Sequence, residues 1–135
     1  MINIKDFKIV IGGDDNKNRK AVENKNIDIL LSPEKTRKQD FMHYRDSGLN
    51  QVLCKLAYKN KVAIGFNFDD VLDSRDRASV LGKMMQNVKL CRKYNARMVI
   101  VSDKDRSKQE LVSFSICMGM TPGEAGKAMN LKRKD

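Results

Sequence analysis

The sequence has few of the residues that build most metal and catalytic sites. It contains no tryptophan, one histidine and three cysteines in 135 residues, and aromatic residues make up only 6%. The single histidine, His43, and the lack of any CxxC pair argue against a zinc site. With so few aromatic side chains, the core must consist of aliphatic residues and methionine.

The cysteines and the hydrophobic runs exclude further classes of protein. Cys54, Cys91 and Cys117 are odd in number and far apart, and each lies on or beside an apolar helix face. We therefore expect buried free thiols in a reducing compartment. The chain has no apolar run of membrane-spanning length, and MINIKDFKIV lacks the apolar core of a signal peptide. These absences predict a cytoplasmic protein without a membrane partner.

Positive charge is the dominant feature of the composition. The chain has 27 basic and 17 acidic residues, which gives a net charge of +10. This excess predicts a polyanionic partner, and nucleic acid fits better than a membrane surface. The alternative is a surface whose charge only keeps the protein in solution. The length predicts one small domain, residues 1–135, ending in a frayed basic tail at residues 130–135.

Residues 47–68 predict a helix followed directly by a buried strand. Ser47 is the candidate N-cap of the helix, since a short side-chain oxygen accepts a free backbone N–H there. The run VAIGFNF then suits a strand covered on both faces, as in a parallel sheet. The apolar stripe of the helix is Leu49, Val52, Leu53, Leu56 and Ala57.

The same order of strand and helix recurs along the chain and predicts an α/β fold. The predicted strands are residues 7–11, 27–31, 62–68 and 97–102. The predicted helices are residues 18–24, 47–58, 77–95 and 109–118, followed by a short helix with Thr121 as N-cap and Glu124 completing a capping box.

Two of the predicted strand ends have alternative interpretations. Gly12 and Gly13 allow close approach of a phosphate, but they lack the spacing of a phosphate-binding motif, so a plain turn is favoured. The residues after the third strand suggest magnesium, but capping of the next helix by Asp73 or Ser74 is favoured. The carboxylates concerned are Asp69, Asp70, Asp73 and Asp76.

Two basic loops follow other strands. Residues 34–45 combine cations with aromatic rings, a composition that suits RNA because cations meet phosphate and rings stack on unpaired bases. A solvated loop is the equally weighted alternative. His43 in this loop is interpreted as a surface or packing residue, since no nucleophile accompanies it. Residues 103–108 form the second basic loop.

Several blocks of sequence, taken in order, are similar to one known family. NRKAVENKNIDILLSPE, RK, SGLNQVLCKLAYKNKVAI, RASVLGKMMQNVKLCRKYNARMVIVS and SFSICMGMTPGEAGKA resemble ribonuclease P protein component 3. The resemblance covers almost the whole chain. It implies a truncated TIM-barrel-like (PHP-like) array of parallel strands alternating with helices.

The resemblance also implies a function. The chain would be a non-catalytic RNA-binding subunit of ribonuclease P, which removes the 5′ leader of precursor tRNA. Catalysis and its Mg²⁺ would belong to the RNA, and the chain itself would bind no cofactor. The implied partners are ribonuclease P RNA, a small ferredoxin-like subunit and, indirectly, precursor tRNA.

The candidate RNA-binding residues come from the matching blocks and from the basic loops. No catalytic or metal-binding residue is predicted. Arg19 lies in the NR block, Arg37 and Lys38 form the RK block, and Lys55 lies in the CKLA stretch. The full set is Arg19, Lys20, Arg37, Lys38, Arg45, Lys55, Arg106 and Lys108.

The sequence departs from the family in three places. The N-terminal strands and helices of the family have no counterpart, and four predicted strands are half of the eight that close a barrel. We therefore expect unpaired strand edges, exposed inner side chains, and completion by a partner, by self-association or by a separate half. QDFMHYR resembles an insertion, and the loop around DKDRSKQEL is shorter than usual for the family.

Two alternative functions stay open at this point. The first is a stand-alone PHP-like metal-dependent phosphoesterase or nuclease, against which the single histidine argues. The second is an assembly subunit that binds other proteins and has little RNA contact.

Overall fold

In the computed structural model, residues 2–35, 46–132 and 134 are described, and strands alternate with helices along them. The strands are β1 (Ile9–Ile11), β2 (Ile29–Leu31), β3 (Ala63–Asn67) and β4 (Met98–Val101). The helices are α1 (Asp15–Glu23), α2 (Gln51–Asn60), α3 (Phe68–Asp73), α4 (Arg77–Tyr94), α5 (Lys108–Cys117) and α6 (Pro122–Ala128). None of the described helices has the length and apolar composition needed to cross a membrane.

The strands form one parallel sheet in the order β1-β2-β3-β4. Ile9 pairs with Ile29, and Ile29 pairs in turn with Ala63. Each connection between neighbouring strands contains at least one helix, as parallel neighbours require. Every observed strand lies within a predicted one and is shorter by two residues. The α/β class is confirmed, and the sheet corresponds to half of a TIM-like barrel.

The face of the sheet beneath the helices carries the main core. Leu30 of β2, Ile64 of β3 and Ile100 of β4 lie on this face and are completely buried. Helix α4 packs over them through Met84 and Val88, which are also completely buried. The core is therefore aliphatic and contains methionine, as the composition predicts.

The opposite face of the sheet, the inner face of the half-barrel, is also buried. The prediction that its side chains are exposed is wrong: Ile29, Ala63 and Val99 are almost completely shielded from solvent. The chain's own ends cover them, because Ile2 joins this cluster and Leu131 packs against it. Segments outside the sheet thus shield this face from solvent.

Helix α2 begins later than the sequence predicts. Its N-cap is Asn50, whose side chain accepts a hydrogen bond from the backbone N–H of Leu53 at 2.9 Å, so the prediction of Ser47 is wrong. Ser47 is buried instead, and its hydroxyl accepts a hydrogen bond from Gln86 of α4 at 3.0 Å. Val52, which the sequence places on the apolar stripe, is 52% exposed, so this part of the predicted stripe is wrong.

The acidic run after β3 contains a helix that the sequence did not predict. Asn67 caps α3, and Asp69 and Asp70 lie in its first turn, where carboxylates are favourable. The favoured interpretation, that residues of the acidic run stabilise a helix start, agrees with the structure. The cap of α4, however, is Asp76, which accepts a hydrogen bond from the Ser79 N–H at 3.1 Å, rather than Asp73 or Ser74.

The start of α6 and two of the three cysteines agree with the sequence predictions. The predicted capping box of α6, formed by Thr121 and Glu124, is confirmed. Cys54 and Cys91 are buried free thiols as predicted, but Cys117 is exposed because the last turn of α5 presents it to solvent. The tail is anchored at Lys134, whose ammonium donates hydrogen bonds to three backbone carbonyls.

Candidate functional site

All four strands end on one side of the molecule, because parallel strands share their direction. We call this side the carboxyl edge. It is formed by residues 12–13, 32–35, 67–70 and 102–108. Helices α1, α3 and α5 begin here, so their capping side chains and the polar residues after the strands converge on one surface. Parallel α/β proteins place their binding groups at this edge.

Asn18 organises the part of the carboxyl edge next to β1. Its buried side chain accepts a hydrogen bond from the Gly13 N–H at 3.0 Å and donates to the carbonyls of Pro33 and Gly48, both at 3.1 Å. Gly48 has a φ of +83°, and an added Cβ there would lie 2.0 Å from the Pro33 oxygen. Gly12 and Gly13 connect β1 to α1, and the Gly13 N–H is already bound to Asn18, so the phosphate-binding alternative gains no support.

Asp69 joins the ends of β3 and β4. Its carboxylate accepts hydrogen bonds from the Ser102 hydroxyl at 3.0 Å, from the Asp103 N–H at 2.7 Å and from the Arg106 guanidinium at 2.7 Å. Burial by itself raises the pKa of Asp69, but the bonds from Arg106, Asp103 and Ser102 outweigh it, so the pKa is lowered. Asp69 is therefore a buried anion that holds the loop after β4.

Glu34 lies at the end of β2 and is almost completely buried. Neither oxygen of its carboxyl group accepts a hydrogen bond from another described residue. Desolvation raises the pKa of Glu34 to about 7; its own backbone N–H opposes this rise, the nearby charge of Asp70 assists it, and Lys35 and Lys83 oppose it. A carboxyl group in such surroundings is easier to bury as the neutral acid.

The carboxylates at the edge are not arranged as a metal site. Among residues 2–35, 46–132 and 134, no three His, Cys, Asp or Glu side chains converge in a way that would hold an ion. Asp69 is bound to Arg106, and Asp70 accepts a hydrogen bond from the Ser32 hydroxyl at 2.7 Å. The magnesium interpretation of the acidic run therefore finds no support in the described residues.

Two of the predicted RNA-binding residues lie at the carboxyl edge after β4. Arg106 is only 13% exposed in its side chain, because its guanidinium is bound to Asp69 and stacks on the Phe68 ring at 4.7 Å from the centroid. Its first role is to fix the loop. Lys108 begins α5 and is exposed. Lys35 and Lys104, which were not in the predicted set, are exposed at the same edge.

Three predicted residues lie away from this edge. Asp14 caps α1, so the helix starts at residue 15 rather than 18, and Lys20 falls in its last turn. Arg19 is on the exposed side of α1 and forms an ion pair with Glu23 at 2.6 Å. Lys55 is exposed on α2, with its ammonium 5.7 Å from the ring centroid of Tyr94. The structure does not bring these three together with Lys108.

The remaining predicted residues lie outside the described residues. These are Arg37, Lys38 and Arg45, together with His43. Their assignment to RNA stays a prediction.

Sequence reasoning missed the buried polar residues that shape this edge. Nothing in the sequence marks Glu34 as buried, because its neighbours Pro33 and Lys35 suggest an exposed turn. Asp69 was considered only as a metal ligand or a helix-terminal charge. Its spacing from Arg106, 37 residues later, becomes a contact only through the pairing of β3 with β4.

The fold and this edge together define a class: a parallel α/β protein built as half of a TIM-like barrel, with a polar rim that carries both basic and acidic residues where the strands end. A family model described as RNase P subunit p30 matches residues 4–134. The chain belongs to the RNase P subunit p30 family, which confirms the resemblance recognised in the sequence.

Curated relatives carry a consistent name. The chain is 37% identical to Ribonuclease P protein component 3 of Methanosarcina acetivorans, over 95% of this chain and 53% of that protein. It is 39% identical to the protein of that name in Methanococcus maripaludis strain C7, over 74% of this chain and 41% of that protein. The chain spans about half the length of the curated relatives it matches.

A solved structure also matches this chain over about half of its own length. A chain in the cryo-EM structure of archaeal Ribonuclease P with mature tRNA superposes with a TM-score of 0.76 at 33% identity. The match covers 89% of this chain and 52% of that chain. The half-barrel is thus a recognisable part of the fold of that larger chain.

Proposed function

We propose that this chain is a non-catalytic protein subunit of ribonuclease P and that it supports the catalytic RNA by binding it. The observation that carries the proposal is the family match across residues 4–134, together with a structural match to a chain of archaeal ribonuclease P. On this proposal, the RNA holds the catalytic Mg²⁺ and removes the 5′ leader of precursor tRNA. The chain works in the cytoplasm beside a small ferredoxin-like subunit.

The carboxyl edge supports the RNA-binding part of the proposal. Lys35, Lys104 and Lys108 are exposed there, beside the exposed Asp103 and Asp105, while Arg106 and Asp69 hold the loop between β4 and α5 in place. A fixed loop presents its cations without paying ordering entropy on binding. Cations at such an edge neutralise phosphates without reading sequence, which suits the backbone of a folded RNA.

The test is precursor-tRNA cleavage by the matching ribonuclease P RNA and its other proteins, with and without this chain. We expect the chain to raise cleavage at low Mg²⁺ concentration. The variant Lys35→Ala/Lys104→Ala/Lys108→Ala should need more Mg²⁺ or more protein for the same rate, because three phosphate contacts are removed.

The control variant is Lys89→Ala/Lys93→Ala/Lys127→Ala. It changes the net charge by the same amount, at exposed helix positions away from the carboxyl edge. An equal loss of cleavage activity in both variants would mean that overall charge, rather than the carboxyl edge, supports cleavage. Cleavage by the chain without any RNA would overturn the non-catalytic assignment, and no effect of the folded chain would remove the subunit role.

A further inference from the structure

A large cleft lies at the amino ends of the strands, which is the end of the sheet opposite the carboxyl edge. It has a volume of about 1270 Å³ and is bounded by the N-terminal segment, the ends of α2 and α4, and the C-terminal tail. Phe7, Met129 and Leu131 provide an apolar floor. Pockets that enclose single small ligands measure about 300–1,000 Å³, so this cleft has room for a stretch of polymer.

Backbone geometry places the cleft at the amino ends of the strands. Helices α2 and α4 both end in a residue with a left-handed backbone, Lys61 with φ +56° and Asn95 with φ +61°. These turns stop each helix abruptly, so the chain enters β3 and β4 within two or three residues. The end of α2, with Tyr58, Lys59 and Lys61, therefore forms one wall of the cleft.

Two of the cations that line the cleft are structural. Lys134 donates from its ammonium to the carbonyls of Ile27 and Asn60, both at 2.7 Å, and to that of Lys25 at 2.9 Å. The Arg97 guanidinium donates to the carbonyls of Lys127 and Asn130. Together these contacts tie the tail to the body and set the far wall of the cleft.

Three further cations are left for a partner. Lys59, Lys61 and Lys132 are exposed on the cleft, and their ammonium groups form no hydrogen bond or ion pair to another described residue. Asp6 is the only acidic residue among the described residues that line the cleft. Next to the lysines, the Tyr58 side chain is 60% exposed, although tyrosine rings usually lie against the protein.

We propose that this cleft binds an unpaired segment of RNA, with Lys59, Lys61 and Lys132 on its phosphates and a base stacked on Tyr58. The inference rests on the proposed function in so far as RNA is the partner. It concerns a second surface, at the amino ends of the strands rather than at the carboxyl edge. Cations around an apolar floor with an exposed ring are the combination that single-stranded RNA requires. An acidic peptide would use the same cations but would not need the ring.

The first experiment measures fluorescence anisotropy of a labelled 12-nucleotide oligouridylate with the full chain at 50–200 mM salt. For single strands, each neutralised phosphate adds about 0.7 to the slope of log affinity against log salt concentration. The variant Lys59→Ala/Lys61→Ala/Lys132→Ala should therefore lose about 2 from that slope. Across this range the wild type would lose about twentyfold more affinity than the variant.

The second arm separates stacking from charge. Tyr58→Ala should weaken oligouridylate binding by about tenfold and leave the salt slope unchanged, whereas Tyr58→Phe should bind as the wild type does, because the ring is kept. The variant Lys17→Ala/Lys89→Ala/Lys93→Ala has the same charge change at exposed positions that do not line the cleft, and it should keep the wild-type slope. Circular dichroism melting confirms that each variant is folded.

The outcomes distinguish the cleft from the carboxyl edge. An equal slope for the cleft and control variants, or an unchanged affinity of Tyr58→Ala, overturns the cleft proposal. Tighter binding of a labelled oligoglutamate than of oligouridylate overturns it in favour of a protein partner. Since this assay contains no ribonuclease P RNA or tRNA, a negative result leaves the cleavage test of the carboxyl edge undisturbed.

Discussion

At the scale of single residues, the unusual group is the Glu34 carboxyl. It is buried, its oxygens accept no hydrogen bond from another described residue, and Asp70 lies near enough to oppose its ionisation. A buried charge without a partner costs free energy, and the residue lowers that cost by keeping its proton. Such a residue is maintained at the expense of stability at neutral pH.

Glu34→Gln should stabilise the protein at high pH only. The pKa rises from 4.5 in the unfolded chain to about 7 in the folded one, so folding retains a proton between these values. The free energy of unfolding of the wild type therefore falls as pH rises from 4.5 to 7, by about 3 kcal/mol in total. Glutamine removes this fall. Urea denaturation should show a gain of that order at pH 8 and little change at pH 4.5.

The control for Glu34 is the exposed carboxylate of Glu23. Glu23→Gln breaks only a surface ion pair with Arg19, which contributes less than about 1 kcal/mol. Equal gains for Glu34→Gln at both pH values would show that packing, rather than ionisation, limits stability at this position.

At the scale of elements, two glycines allow the effects of helix propensity and of backbone strain to be measured separately. Gly126 lies inside α6, and an added Cβ would meet no atom within 4 Å. Gly119 follows α5 and also has open space, but its φ is +100°. The two positions differ in backbone conformation rather than in available space.

Gly126→Ala should raise the free energy of unfolding by about 0.5–1 kcal/mol, since alanine is the better helix former. Gly119→Ala should lower it by about 1 kcal/mol or more, because a side chain disfavours positive φ. Chemical denaturation of both variants measures the two effects. Changes of the same sign would mean that the backbone at one of these glycines differs from the structure.

At the scale of the whole molecule, the segments around Ile2 and Leu131 bury the inner face of the sheet. Ile2 is 5% exposed and lies against Ile29 and Val99 of the sheet. Without such cover, a four-stranded sheet would expose one apolar face, which favours association with other chains. The segments around Ile2 and Leu131 thus provide the apolar cover that this face of the sheet needs.

Ile2→Ala should lower the free energy of unfolding by about 2–4 kcal/mol, as expected for a buried isoleucine. It should also increase the binding of a hydrophobic dye to the native protein. Ile116→Ala is the matched control, since Ile116 is 47% exposed on α5 and its loss should cost less than about 0.5 kcal/mol. Equal costs at the two positions would show that the N-terminal segment does not cover the sheet in solution.

The sequence by itself determined the order of the four strands and of every described helix except α3, the aliphatic core and the family. These follow from local patterns: apolar runs predict the four strands, and Thr121 with Glu124 predicts the start of α6. Charge alone predicted a polyanionic partner. Boundaries were less accurate where a cap further along the chain, such as Asn50 instead of Ser47, satisfies the free backbone N–H groups.

Only the tertiary structure decided which charged residues are free. Arg106 and Lys108 are indistinguishable in sequence, yet one is bound to Asp69 and the other is exposed. The reason is that ion pairing and burial depend on residues brought together by the sheet, here 37 positions apart. The same long-range packing buries Glu34 and places Tyr58 beside the tail, and no local pattern encodes either result.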